Sequence, residues 1–153
     1  MENLVKILKE KNKTISSMES CTGGLFASEL TNVDGSSNVF NLGLVTYSNN
    51  WKEYFGVNKE IINTYTVYST EVAKEMAKSV CNLAKSDFGI GITGQIGLKD
   101  FSNESENLNT VYISIYDKEN NYFNYVIEPI GKNKLEKKNF IINYIKEKLY
   151  DIC

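Results

Sequence analysis

Residues 88–92 read Phe-Gly-Ile-Gly-Ile. Phe88, Ile90 and Ile92 alternate with Gly89 and Gly91, which is the period of a β-strand. One face of such a strand is large and apolar, and the other is bare. A bare face is compatible with a folded interior only where neighbouring backbone comes close, so the segment reads as a buried, closely packed strand. Around it the pattern alternates. Leu4, Val5, Ile7 and Leu8 mark a helix, and Thr14 to Met18 is a short strand. Residues 23–32 are helical through Leu25, Phe26 and Leu30. Leu42 to Tyr47 reads as a second strand, and Asn49 to Phe55 as a short helix. Ser69 and Thr70 are N-cap candidates for a long helix to about Lys85, with Glu71 in its first turn and Val72, Met76, Val80 and Leu83 as its stripe. Gly94 to Asn109 reads as a polar loop. Thr110 to Tyr116 and Tyr122 to Ile130 form a hairpin across Asp117 to Asn121. Leu135, Ile142, Ile145 and Leu149 mark a last helix. Strand–helix alternation followed by a hairpin predicts an α/β fold, a three-layer α/β/α sandwich on a mixed, mostly parallel sheet.

The 153 residues fit a single domain over residues 1–153 with a sizeable core. Net charge is −2, so no strong field invites nucleic acid or anionic lipid, and direct nucleic-acid binding is not expected. No apolar stretch approaches the roughly 20 residues of a membrane span. All 17 basic residues are lysines, so any phosphate must be met by lysine or backbone N–H rather than by a bidentate arginine. Cys21, Cys81 and Cys153, an odd count without an apolar leader, suggest free thiols and the cytoplasm. Their spacing fits no zinc motif and the chain has no histidine, so neither a metal site nor a cofactor is expected.

Three polar, glycine-containing or amide-rich segments follow the three early strands: Glu-Ser-Cys-Thr-Gly-Gly at 19–24, Tyr-Ser-Asn-Asn-Trp-Lys at 47–52, and Thr-Gly-Gln-Ile-Gly at 93–97. In open α/β sheets ligands bind beyond the carboxyl ends of the strands. If these strands are parallel, the three segments converge on one edge. Gly-Ile-Gly-Ile-Thr-Gly at 89–94 also matches G-x-G-x-x-G, but its first two glycines fall inside the strand, which disfavours a dinucleotide fingerprint.

These elements together resemble the CinA carboxy-terminal domain family. The resemblance rests on Glu19 to Gly24, Gly35 to Ser37, Thr46 to Asn49 with Lys52 three residues on, Val-Tyr-Ser-Thr-Glu-Val-Ala leading into the long helix, and Gly-Ile-Thr-Gly-Gln-Ile-Gly at 91–97. It covers nearly the whole chain. It implies a three-layer α/β/α fold, a homodimer, and an amidohydrolase that converts nicotinamide mononucleotide, a small-molecule nucleotide, to nicotinate mononucleotide and ammonia. It also implies that the chain starts directly at the amidase-like domain. Three stretches depart from the family. The proline and further glycines after Thr-Gly-x-x-Gly are missing, Gly131 to Asn133 reads Gly-Lys-Asn where the family tends to Gly-Asp-Arg, and Tyr65 to Ser69 replaces His-Gly-Ala-Val-Ser.

An amidase needs a nucleophile, a base and oxyanion donors. Without histidine, a buried lysine can act as base once desolvation favours its neutral form. The family pattern points to Ser20 as nucleophile and Lys52 as base, with Cys21, Ser37 and Ser48 as rival nucleophiles. Cys21 reads better as a small buried residue. Backbone N–H groups of Thr22, Gly23 and Gly24 are the expected oxyanion donors. Tyr47 would relay a proton or orient the lysine. Ser36 or Ser37 would bind phosphate or join the hydroxyl network. Ser48 and Asn49 complete the second segment, and Thr93 and Gly94 would line the ring or ribose. Glu19 would either hold Ser20 or Lys52 or supply a charge at a helix start. Two other readings stay open: a non-catalytic pyridine-nucleotide-binding module, and an interaction domain of the kind the family name suggests.

Overall fold

The structure is a computed structural model that describes residues 1–97 and 108–153. Five strands form one sheet in the order β2-β1-β3-β4-β5. They are β1 (Ile15–Glu19), β2 (Phe40–Val45), β3 (Phe88–Ile96), β4 (Asn109–Asp117) and β5 (Tyr122–Ile127). β1 pairs in parallel with both β2 and β3, while β3–β4 and β4–β5 are antiparallel. Only β4 therefore runs against the other four, as the mixed, mostly parallel expectation requires.

Helices α1 (Glu2–Glu10), α2 (Leu25–Thr31) and α6 (Lys134–Ile152) share a core with one sheet face, built on Ile15, Ile90, Ile92, Val111, Ile113 and Ile115. On the opposite face, α4 (Lys59–Tyr65) and α5 (Thr70–Ala84) pack around Met18, Val72, Met76 and Val80. The bare face of β3 explains how α5 gets so near. A Cβ added at Gly89 would lie 2.1 Å from the Ala77 carbonyl oxygen, and one at Gly91 2.1 Å from that of Ala73. The helix backbone rests directly on the strand, and any side chain at either glycine would collide with it.

The Ser69 hydroxyl caps α5 by accepting the Val72 N–H at 3.2 Å. Leu83 and Leu135, expected in apolar stripes, are instead 54% and 61% exposed. α5 presents Ala73, Ala77 and Cys81 beside Val72, Met76 and Val80 to the interior, so Leu83 falls on the far side. Leu135 lies in the first turn of α6, before the buried run that begins at Ile141. Helix α4 has no counterpart in the sequence reading. The second strand begins and ends two residues earlier than expected, and β3 runs on to Ile96, so Gly94 and Gln95 are strand rather than loop. Most of the expected polar loop lies outside the described residues. No helix among those described is long and apolar enough to cross a membrane.

Candidate active site

The parallel β1, β2 and β3 end on the same sheet edge. At that edge the Ser20 N–H donates to the Ile92 carbonyl at 2.9 Å, and the Thr46 N–H donates to the Glu19 carbonyl at 2.9 Å. Ser20 is thus held between the ends of its two neighbours. After Thr46 the chain turns into the short helix α3 (Asn49–Tyr54), which carries Lys52 back towards the sheet. Lys52 is 1% exposed. Its Nζ lies 3.2 Å from Ser20 Oγ and 2.8 Å from the Thr46 carbonyl oxygen. Two residues thirty-two positions apart therefore meet within reach of proton transfer. Desolvation penalises the charged form of a buried amine, and a neutral amine can accept the serine proton.

Glu19 is fully buried and works as a remote cap for α2. Its Oε2 accepts the Thr22 hydroxyl at 2.7 Å and the N–H groups of Gly24 and Phe26 at 3.1 Å each, and its Oε1 accepts the Ala27 N–H at 2.9 Å. The residue at the N-cap, Gly24, has a left-handed φ of 90° and offers no side chain. The upstream carboxylate supplies the missing acceptor. Of the two roles expected for Glu19, the helix-start charge is the one the geometry supports.

This cap corrects the expected oxyanion hole. The Gly24 N–H is taken by Glu19, and the Gly23 N–H donates to the Ser20 carbonyl at 3.0 Å. The Thr22 N–H makes no hydrogen bond among the described residues, so it is the one of the three left to face an oxyanion. Cys21, directly after Ser20, is buried. Desolvation pushes its thiol up to about 12, against the opposing fields of its own N–H, Lys138 and Lys52. It remains a neutral thiol at physiological pH and a poor nucleophile.

Other predicted residues fall elsewhere. Ser36 and Ser37 sit in a 3-10 turn (Ser36–Asn38) that leads into β2, and the following Val39 carbonyl accepts the Ile15 N–H at the start of β1. The turn therefore lies at the opposite sheet edge, roughly 17 Å from Ser20 along five residues of strand. A residue that precedes a parallel strand cannot join a site at that strand's carboxyl end. Thr93 is fully buried, and its hydroxyl donates to the Val67 carbonyl at 2.7 Å, which ties β3 to the segment before α5. Gly94 is also inside the strand, where an added Cβ would lie 2.5 Å from the Thr110 carbonyl oxygen. Both directly follow Ile92, the β3 residue that holds the Ser20 N–H. Tyr47 is 71% exposed and makes no hydrogen bond to Ser20 or Lys52 among the described residues; the Thr46 carbonyl positions the amine instead. Ser48 is the exposed N-cap of α3, and Asn49 is its first residue. The Thr46 carbonyl is the contribution sequence reasoning missed, because any residue type supplies one. Among the described residues no group of three His, Cys, Asp or Glu side chains could hold a metal ion.

Comparison with known proteins gives this geometry a context. The family described as the CinA C-terminal domain matches residues 1–139. A protein of Caldanaerobacter subterraneus subsp. tengcongensis, named competence-damage inducible, is 38% identical over 92% of this chain. A CinA-like protein of Flavobacterium psychrophilum is 44% identical over 73% of it. The chain spans only 34% and 27% of those two relatives. Crystal structures of CinA-superfamily proteins share the fold. One from Klebsiella pneumoniae superposes with a TM-score of 0.88 at 20% identity, covering 97% of this chain and 91% of that one. One from Escherichia coli gives 0.86 at 23% identity, covering 99% and 90%. With nearly its whole length matched by the family, and relatives at these identities, the chain belongs to the CinA C-terminal domain family.

Proposed function

We propose that this chain is an amidohydrolase that converts nicotinamide mononucleotide to nicotinate mononucleotide and ammonia, with Ser20 as nucleophile and Lys52 as general base. The observation that carries the reading is the buried Lys52 Nζ at 3.2 Å from Ser20 Oγ. In the first half-reaction Ser20 Oγ bonds to the carboxamide carbon while Lys52 takes its proton. The Thr22 N–H steadies the oxygen that becomes negative. Lys52 then returns the proton to the nitrogen, the C–N bond breaks, and ammonia leaves an ester on Ser20. In the second half, Lys52 draws a proton from water, the resulting hydroxide attacks the ester, and Ser20 Oγ leaves with the proton.

The test is ammonia release from nicotinamide mononucleotide by the purified protein, beside Ser20→Ala and Lys52→Met. Release that both substitutions abolish supports the reading. Release that survives both defeats the assignment, and tight nucleotide binding without product would make the chain a binding module. Residues 1–153 would act as one catalytic domain in the cytoplasm, a setting suited to the free thiols Cys21, Cys81 and Cys153. A homodimer is supported by the apolar surface at the edge strand and α3, where Val45, Trp51 and Tyr54 are 52%, 54% and 74% exposed. Sedimentation of the purified chain tests it.

A further inference from the structure

A nucleotide substrate brings a dianionic phosphate, and the start of α2 cannot receive it. Its amides at Gly24, Phe26 and Ala27 already point at the Glu19 carboxylate. The chain offers no arginine, so the counter-charge must come from lysine. Two lysines at the beginning of α6 reach over the same sheet edge. The Lys138 ammonium lies 3.2 Å from the Cβ position of Gly23, in the turn that follows Ser20. The Lys134 side chain lies 2.6 Å from the Cβ position of Gly97, just past the end of β3. β1 and β3 are neighbours, so the pair spans the ends of the two central strands. The charges of Lys138 and Lys52 both act on the Cys21 thiol, so both amines lie near the residue that follows Ser20.

Lys134 and Lys138 stand four residues apart, on one face of α6. Like charges at that spacing repel in the bare helix. Neither ammonium makes a hydrogen bond or ion pair among the described residues, whereas that of the adjacent Lys137 is held by Asn109 Oδ1 at 2.7 Å. An anion between the two would turn the repulsion into a shared charge-assisted contact.

We propose that Lys138, supported by Lys134, is the anion-recognition end of this site and makes the protein select an amide substrate carrying a phosphomonoester over the same amide without it. The proposal rests on the amidohydrolase reading for its substrate, but its binding test is independent of turnover. Calorimetric titration of the Ser20→Ala protein with nicotinate mononucleotide and with nicotinic acid riboside is compared with the same titrations after Lys138→Gln is added. The expected result is about a tenfold weakening for the nucleotide and much less for the riboside, a smaller effect for Lys134→Gln, and recovery with Lys138→Arg. On a Ser20 background, KM for nicotinamide mononucleotide rises by a similar factor while kcat moves less.

Equal weakening for both ligands overturns the proposal, as does no weakening for either. A fall in melting temperature without a change in discrimination also overturns it, since Lys138 would then only balance the buried Glu19. If Lys138-dependent nucleotide binding is found but no ammonia is released, the anion site stands and the amidase reading fails. If ammonia is released and Lys138→Gln leaves the preference for phosphate intact, the reverse holds.

Discussion

Each of the two edges of the sheet sets a carboxylate against backbone N–H groups, half-buried at one and sealed at the other. At the edge away from Ser20, Asp87 accepts the N–H and hydroxyl of Thr14 at 2.8 and 3.0 Å. Its other oxygen meets Lys118 at 2.5 Å and Lys13 at 3.5 Å. Carboxylate and cations face solvent together, and the arrangement ties the β1 and β3 starts to the β4–β5 turn. At the opposite edge Glu19 is sealed in and makes no ion pair among the described residues. Beside it, the Lys52 amine meets the Ser20 hydroxyl and the Thr46 carbonyl. The difference separates a solvent-facing clamp from a sealed carboxylate that organises the candidate site beside it.

The comparison breaks most visibly through Ser20. Ser20→Ala and Lys52→Met are expected to lower kcat for nicotinamide mononucleotide about a thousandfold or more, while Ser36→Ala and Ser37→Ala at the far edge leave KM within error. Steady-state ammonia assays decide it, and a large KM effect at Ser36 or Ser37 would place the far edge in the site. Next in size is Glu19→Ala, which strands five buried or part-buried donors and should cost about 3 kcal/mol or more of stability, measured by urea unfolding.

Asp87 sharpens the contrast through pH. Burial pushes its carboxyl up, but the Lys118 hydrogen bond and the Thr14 amide and hydroxyl outweigh it and hold the group down at about 2. Its folded value lies below its ordinary one, so its stabilisation is complete above the ordinary carboxylate range and is lost as pH falls through about 2. Asp87→Asn should therefore cost about 1–2 kcal/mol at pH 7, with the gap from the parent protein closing near pH 2. Unfolding curves at a series of pH values show whether it does. The smallest effect belongs to Cys21. With its thiol pushed up to about 12, Cys21→Ser should keep kcat within about twofold, and iodoacetamide should not inactivate the folded protein. Rapid inactivation would make the thiol the nucleophile.

Much of this fold is written in period and punctuation. The Phe88 to Ile92 alternation identifies a central strand, and Ser69 marks the start of α5, because both signals are local. Helix α4 left no such trace in the sequence reading. Its Asn58 cap and the burial of Ile62 make sense only once α5 provides a surface. At the site, Ser20 and Lys52 were legible through the family resemblance. Ser36 and Ser37 were misplaced because a motif says which residues recur together, not which end of a strand they flank. Gly94 reads as loop in the sequence but is strand, because β3 continues to Ile96. The Thr46 carbonyl and the Glu19 cap are main-chain arrangements, and side-chain identity does not encode them.

The amine that would do the chemistry rides on α3, and α3 hangs from β2, the outermost strand. Among the described residues β2 pairs only with β1 and is exposed or half-exposed along its whole length, whereas β1 is buried at every position. The least anchored strand of the parallel half thus carries half of the proposed dyad. Fraying there needs none of the central glycine-lined packing to open. On warming, catalysis should fade while ellipticity still reports an intact protein, with amide exchange fastest from Phe40 to Lys52, and a ligand bound at the edge would act as a splint for that strand.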